Sequence, residues 1–470
     1  MGFLQSLVWL AKLLGALSLL LLVLTGLLAG VAWWIGSRRR VRIPRGTVVE
    51  WSLASAPREA SSPWPGGRSL NLRDTLQALE AAAHDPRVEA LWADLSTVHL
   101  GMAQAQELHA AVLKFRASGK ATVAFADTFG EGGSTAALLL ASAFARVGMQ
   151  PSGSVAAGFA TQQPFVAGFL KRLGIEVQMG RRHEYKGAAE TLLQERMGDA
   201  NREATTALVK DWTRQWCEAV AQARGLAPAD VMAGLDAVPL SAQAALDRKW
   251  IDVLEYRDGS RECWEGEVDG KRRKNKFVSI ERYSRRAARR SRAGRRATQL
   301  AWISASGQVV RGTERGGTRR RDRMSAHRVG AALRAAIDNR RVKGILLRVD
   351  SPGGSYVASD TIAREVIRAR AKKKPVVVCM GNLAASGGYF VSMFADRIVA
   401  QPGTLTGSIG VFGGKLVAKE ALARVGLNFD GVAGSRGATH SSALVPYDEH
   451  GRAALERELD FIYDDFVTRA

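Results

Sequence analysis

Cysteine is nearly missing: the 470 residues hold three, Cys217, Cys263 and Cys379, and they stand far apart. That spacing excludes a paired disulfide framework and a Cys-x-x-Cys metal site. Cys379 lies inside an apolar run and reads as a small core residue. Histidine is sparse too, with seven in the chain, and none falls into a zinc signature. A phosphate-binding glycine loop is equally absent, so no metal and no cofactor is expected. Acidic residues are outnumbered, 45 against 67 basic, for a net charge of +22. Residues 271–323 carry 19 Lys/Arg and only Glu281, Glu314 and Asp322, hence +16 in one region. The densest runs there, 271–276 and 282–296, contain one aromatic residue, Tyr283. Nucleic-acid binding would favour interleaved aromatics, so it ranks last and no nucleic-acid partner is expected. A solvated linker is the first reading of this stretch, and attraction to anionic headgroups the second.

One long apolar run is present. Leu13–Ile35 spans 23 residues without a charge and ends in Trp33-Trp34. At ~1.5 Å per residue this crosses a ~30 Å hydrocarbon core, so a single N-terminal transmembrane helix is predicted, with a lipid bilayer as partner. Arg38, Arg39, Arg40, Arg42 and Arg45 follow it, and by the positive-inside rule they point the body of the chain to the cytoplasm.

The chain also repeats itself. Residues 85–95 (DPRVEALWADL) align with 339–349 (NRRVKGILLRV) at a spacing of 254, and 119–125 with 373–379 at the same spacing. Residues 141–153 then match 392–404 at 251. Each copy reads as alternating strands and helices, which implies parallel sheets covered by helices in an α/β fold. The division is an anchor over 1–40, a first repeat over 47–258, a basic linker over 259–297 and a second repeat over 298–470. The second copy stops inside a helix that the first copy continues past by roughly 35 to 40 residues, so its end is expected to be truncated.

The copies differ where chemistry would sit. Val376–Met380 is a buried-strand pattern, broken at Gly381-Asn382, with a helix from Tyr389. Between them Ser386, followed by Gly387-Gly388, is either a nucleophile at a strand-to-helix turn or a helix N-cap. Asp350-Ser351-Pro352-Gly353-Gly354 follows the preceding strand, and its paired glycines suit an oxyanion hole; the first copy lacks them, and Thr135 stands opposite Ser386. Conversely Lys186 of the first copy stands opposite Arg436. Burial can neutralise a lysine but not an arginine. Lys186 therefore reads as a base, or otherwise as a surface lysine paired with Glu184 or Glu190. His183 and His440 lie nearby and read as incidental.

AASGGYF around Ser386, TGSIGVFGG at 406–414, DSPGG at 350–354 and YKGAAE around Lys186 together resemble signal peptide peptidase A (protease IV) in its long tandem-repeat form. The resemblance implies units of the Clp protease/crotonase type and a serine peptidase with a Ser/Lys dyad acting on apolar, signal-peptide-like substrates. Ser386 would be the nucleophile, Lys186 the base, Ser408 the hydroxyl that hydrogen-bonds the lysine, and Gly353 and Gly354 the oxyanion donors. It further implies a homo-oligomer, a tetramer, on the periplasmic face of a bacterial inner membrane, against the charge pattern. A crotonase-like acyl-CoA enzyme and an inactive membrane scaffold are the alternatives.

Overall fold

The computed structural model describes residues 15–26, 43–59, 70–131, 135–262, 276–290, 298–312 and 323–470, with 2, 9, 30 and the strand pair 267–268/271–272. In chain order the first strands are β1 (Thr47–Ser52), β2 (Val88–Asp94), β3 (Ala121–Ala126), β4 (Arg146–Met149), β5 (Glu176–Arg182), β6 (Val253–Leu254) and β7 (Lys276–Ser279). All but β5 form one parallel sheet of order β7-β1-β2-β3-β4-β6. Helices α1 (Leu72–Ala83), α2 (Met102–Arg116), α3 (Thr135–Ser142) and α4 (Asp199–Arg224) accompany it. Helix α1 shows how local chemistry starts such an element. Asn71 caps it by accepting from Asp74 N, and Leu72, Thr75, Leu79 and Ala82 recur at helical spacing and are buried. Both faces of the sheet are covered, with Leu91, Leu108 and Trp216 in the main core and Trp92 and Phe125 in a smaller cluster opposite.

The second sheet is β8 (Gln299–Ser306), β9 (Val342–Ser351), β10 (Val376–Ala385) and β11 (Arg397–Val399), parallel and in that order. Strand β12 (Leu405–Gly407) pairs with the C-terminal half of β10, and β13 (Val411–Val417) leaves the sheet. Its helices are α5 (Ala326–Asp338), α6 (Tyr356–Ala371), α7 (Gly387–Ser392) and α8 (Glu449–Arg469).

Two findings differ from the sequence reading. Strand β10 does not break at Gly381-Asn382 but continues to Ala385, and α7 starts at Gly387. The glycine serves close approach instead, since a Cβ there would meet the Asp350 carboxylate at 2.8 Å, and that carboxylate accepts from Leu383 N at 2.9 Å. Part of the stretch read as a linker is folded. Residues 276–279 are β7, and Val278, Ile280 and Tyr283 are buried in the first core, with Tyr283 Oη donating to Asp85. Apolar residues spaced among the arginines carried that information. As for the predicted anchor, residues 15–26 are helical, but much of Leu13–Ile35 lies outside the described residues. Among the described residues no helix is long and apolar enough to cross a membrane.

Two junctions tie the sheets together. Strand β5 pairs antiparallel with β13 from Val411↔Arg182 to Val417↔Glu176, under α8. There Arg182 bonds Glu456 at 2.7 Å and Asp460 at 2.5 Å, and Leu459 seals the ladder over Gly180. At the second junction Arg348 of β9 reaches Glu59 through two bonds of 2.9 and 3.1 Å and Glu107 through one of 2.6 Å. Arg348 is buried, and the two glutamate side chains are 8% and 11% exposed. Burial raises both carboxyls above their usual range despite the guanidinium between them.

Candidate active site

Ser386 ends the extended run of β10 with φ +53° and ψ −119°. A non-glycine residue holds this conformation only where its surroundings impose it. The imposing bonds are Ser386 N to Gly407 O at 2.8 Å and Phe390 N to Ser386 O at 2.9 Å. The side chain makes no capping hydrogen bond, so the N-cap alternative falls and the hydroxyl is left pointing out of the helix end.

Lys186 arrives from the first part of the chain, four residues past β5. The β5–β13 ladder brings it across, because Arg182 pairs with Val411 just beyond Ser408. Its Nζ lies 3.1 Å from Ser386 Oγ, 2.7 Å from Ser408 O and 3.0 Å from Ser408 Oγ. The residue is 5% exposed and among the described residues makes no ion pair; burial lowers its pKa from 10.5 to about 8. The surface-lysine alternative falls with it. Glu190, one of the two partners that alternative offered, is bonded to Arg181 at 2.7 Å, Asn201 at 3.0 Å and Gly198 N at 3.1 Å.

Gly353 and Gly354 (φ +95° and +150°) lie against Ser386. A Cβ on Gly353 would meet Ser386 Cβ and Gly387 N at 2.7 Å, and one on Gly354 would meet Val309 O at 2.2 Å. Glycine is the residue that fits both constraints. The Gly353 N–H is already given to Ser351 Oγ at 3.1 Å. Among the described residues the N–H groups of Gly354 and Gly387 carry no hydrogen bond, and both residues line the same cavity as Ser386. Gly387 was missed from the sequence, although the residue after a turn nucleophile presents its N–H at the start of the next helix. A cavity of about 510 Å³ opens over Ser386 and Lys186, with Phe390, Phe412, Ile462 and Phe466 in its wall. Helix α8 supplies the last two, a contribution the sequence did not signal.

The remaining sequence candidates lie elsewhere. His183 packs edge-on against Tyr463 and His440 against Tyr447. Arg436 sits in an exposed turn and Thr135 bonds Gly158. Cys379 is half-buried in β10 and Cys263 lies outside the described residues.

Glu190 holds the Lys186 turn. Burial pushes its carboxyl up, but Arg181, Asn201 and the Gly198 N–H outweigh this and keep it below the usual range. It ties β5, the 198 loop and α4 together four residues from the amine. Glu190→Ala is expected to lower kcat by about 10²-fold with little change in KM, as a misplacement of about 1 Å does. Water reaching Nζ would also move the acid limb of the rate profile up from about 8. A pH profile that stays put would reduce Glu190 to a fold-stabilising residue.

A hydroxyl on a strained turn, a buried amine without a counter-ion and two unspent backbone N–H groups can together perform nucleophilic acyl transfer, the chemistry of serine hydrolases. The chain belongs to peptidase family S49, whose model matches residues 114–267 and 368–470. It is 30% identical over 410 residues to Protease 4 of Salmonella typhi, covering 85% of this chain and 64% of that protein. Serine protease SPPA, chloroplastic, of Arabidopsis thaliana is 28% identical over 401 residues, 82% of this chain and 56% of its own. Protease 4 of Haemophilus influenzae is 25% identical over 411 residues, 85% and 65%. The chain spans less than two thirds of the length of each of these relatives.

Proposed function

We propose that the chain is a membrane-anchored serine endopeptidase that hydrolyses short apolar peptides, such as cleaved signal peptides, through a Ser386/Lys186 dyad. The observation that carries this is the buried Lys186 amine, 3.1 Å from Ser386 Oγ and without an acidic partner. In its neutral form the amine donates its two N–H groups to Ser408 O and Ser408 Oγ, and its lone pair faces the Ser386 hydroxyl. Lys186 takes the serine proton as Oγ attacks the peptide carbonyl, and returns it to the leaving amine. Gly354 and Gly387 N–H groups hold the oxyanion, in place of the Gly353/Gly354 pair expected from sequence. Water then releases the acyl group by the same proton route.

The apolar wall of Phe390, Phe412, Ile462 and Phe466 suits apolar side chains. The tandem arrangement of Clp/crotonase-like units draws support from strand starts at 47, 88, 121 and 146 against 299, 342, 376 and 397. Anchoring rests on the Leu13–Ile35 run, with the body on the periplasmic face of a bacterial inner membrane. Exposed Val425, Leu427 and Phe429 favour a homo-oligomer. A crotonase-like acyl-CoA reaction would leave the Lys186–Ser386 hydrogen bond without a role.

The test is capture of the intermediate. Acid-quenching the solubilised chain during turnover of a short apolar peptidyl ester should leave the acyl group on the peptide containing Ser386, read by mass spectrometry. Turnover with no acyl mark on that peptide would discard the covalent mechanism.

A further inference from the structure

The N-terminal end of the second sheet carries charge that the peptidase reading does not use. Strands β9, β10 and β11 are parallel neighbours, so their starts share one edge, about 4.8 Å apart. Ser386 lies at the other end of β10. The sequence brings Arg340, Arg341 and Lys343 to this edge with β9, Lys372 and Lys373 ahead of β10, and Arg397 with β11. All six are exposed, and among the described residues none forms an ion pair. The acidic groups nearby are few. Asp338 is exposed, and Asp396 is committed to Arg370 and Val376 N. Lys374 is spent on the Ala336 and Asn339 carbonyls.

The matching edge of the first sheet is self-compensated. There Arg87 pairs with Asp85, Lys120 bonds the Ala82 and Asp85 carbonyls, and Arg146 pairs with Glu255. Six cations without partners on one face repel one another and call for an external counter-charge. Ile398 and Val399, 41% and 51% exposed, put apolar side chains beside Arg397. No aromatic residue occurs in 338–343, 370–376 or 396–399 to stack on bases. Chain geometry points the same way. Strand β1 starts twelve residues after Ile35, and the helix Ile280–Arg290 reaches the same edge of the first sheet through Tyr283 and Asp85. From Arg290 to Thr298 the chain can extend at most about 29 Å.

We propose that this basic edge rests on anionic phospholipid headgroups, with the catalytic end of the sheet turned away from the bilayer. The membrane reading enters only as location; the chemistry of the edge stands apart from it, and from peptidase activity.

The test compares the full chain with Arg340→Glu/Arg341→Glu/Lys372→Glu/Arg397→Glu, leaving Lys373 alone because its φ is +57°. Co-flotation is measured with phosphatidylcholine vesicles, with and without phosphatidylglycerol. The apolar N-terminal run partitions into both, and the basic stretches at 38–45 and 271–323 add the same anionic preference to parent and variant, so the difference between their two ratios is what reads the edge. At salt on the order of 50 mM the parent should prefer the anionic vesicles by about tenfold or more. That preference should fall about tenfold in the variant, to what the untouched basic stretches contribute, and vanish at high salt, while ester turnover in detergent, which also certifies folding, stays unchanged. If the variant fails to turn over, Arg340→Gln/Arg341→Gln is used and should lower the edge's share of the logarithm of the preference by about a third. A parent without preference, or a variant that keeps it, overturns the proposal. Binding of single-stranded DNA that the variant loses, without any lipid preference in the parent, reassigns the edge to nucleic acid.

Discussion

Ser386→Ala lowers turnover of a short apolar peptidyl ester by a factor on the order of 10⁵ to 10⁶, and Lys186→Ala by a comparable factor. On the proposed dyad the two act as one unit, so the double variant should be no worse than either alone. Among the described residues no histidine or carboxylate that could replace it as base bonds the amine, which lies 3.1 Å from Ser386 Oγ. Lys186→Arg should be equally inactive, because a guanidinium keeps its proton at any working pH. The parent should also carry the signature of a neutral lysine. Because burial disfavours the ammonium, Lys186 is deprotonated above about 8 instead of above 10.5. kcat/KM should therefore rise about tenfold per pH unit below 8 and level off above it. A limb near 6.5 would indicate a histidine base and remove Lys186 from the role. Residual turnover in Ser386→Ala within tenfold of the parent would remove the serine.

Arg348→Met should destabilise the chain by about 3–5 kcal/mol at neutral pH, the cost of leaving buried charges without their partner. Glu59 and Glu107 are both held by this one guanidinium and both are shielded from water. Their carboxyls already lie above the usual range because of burial, and losing Arg348 raises them further. The sign of the pH dependence follows. The folded variant would bind more protons than its unfolded chain as pH falls, so its deficit against the parent should shrink between neutral and mildly acidic pH. Urea unfolding of parent and variant at two pH values measures it. A deficit independent of pH would mean that lost packing, not uncompensated charge, sets the cost. Since Arg348 joins the first sheet's residues to β9, two residues before Asp350, activity should fall along with stability.

Much of the site could be read from the chain because its parts are local. A serine between a β-branched run and a helical pattern, with glycines on both sides, is a short-range signal. The spacings of 254 and 251 residues matched three strands of one sheet to three of the other, β2, β3 and β4 to β9, β10 and β11, since buried parallel strands write themselves as apolar runs. Where the reading failed, a long-range contact overrode a local rule. Gly381 looked like a strand breaker but makes room for Asp350. The arginine-rich stretch looked like solvated linker, but Val278, Ile280 and Tyr283 anchor part of it in the first core.

By itself the sequence determined the α/β alternation and the residue types able to do the chemistry, because these follow from periodicity and composition; the order of the strands in each sheet came from the tertiary structure. The tertiary structure alone decided how two residues 200 positions apart come within hydrogen-bonding distance, through a ladder of Glu176–Arg182 with Val411–Val417. It also decided which N–H groups remain unspent, since that depends on Ser351 taking the one from Gly353. The state of the lysine was decided there as well. A pKa belongs to a surrounding, and the burial that brings Lys186 to about 8 comes from segments the sequence keeps far apart.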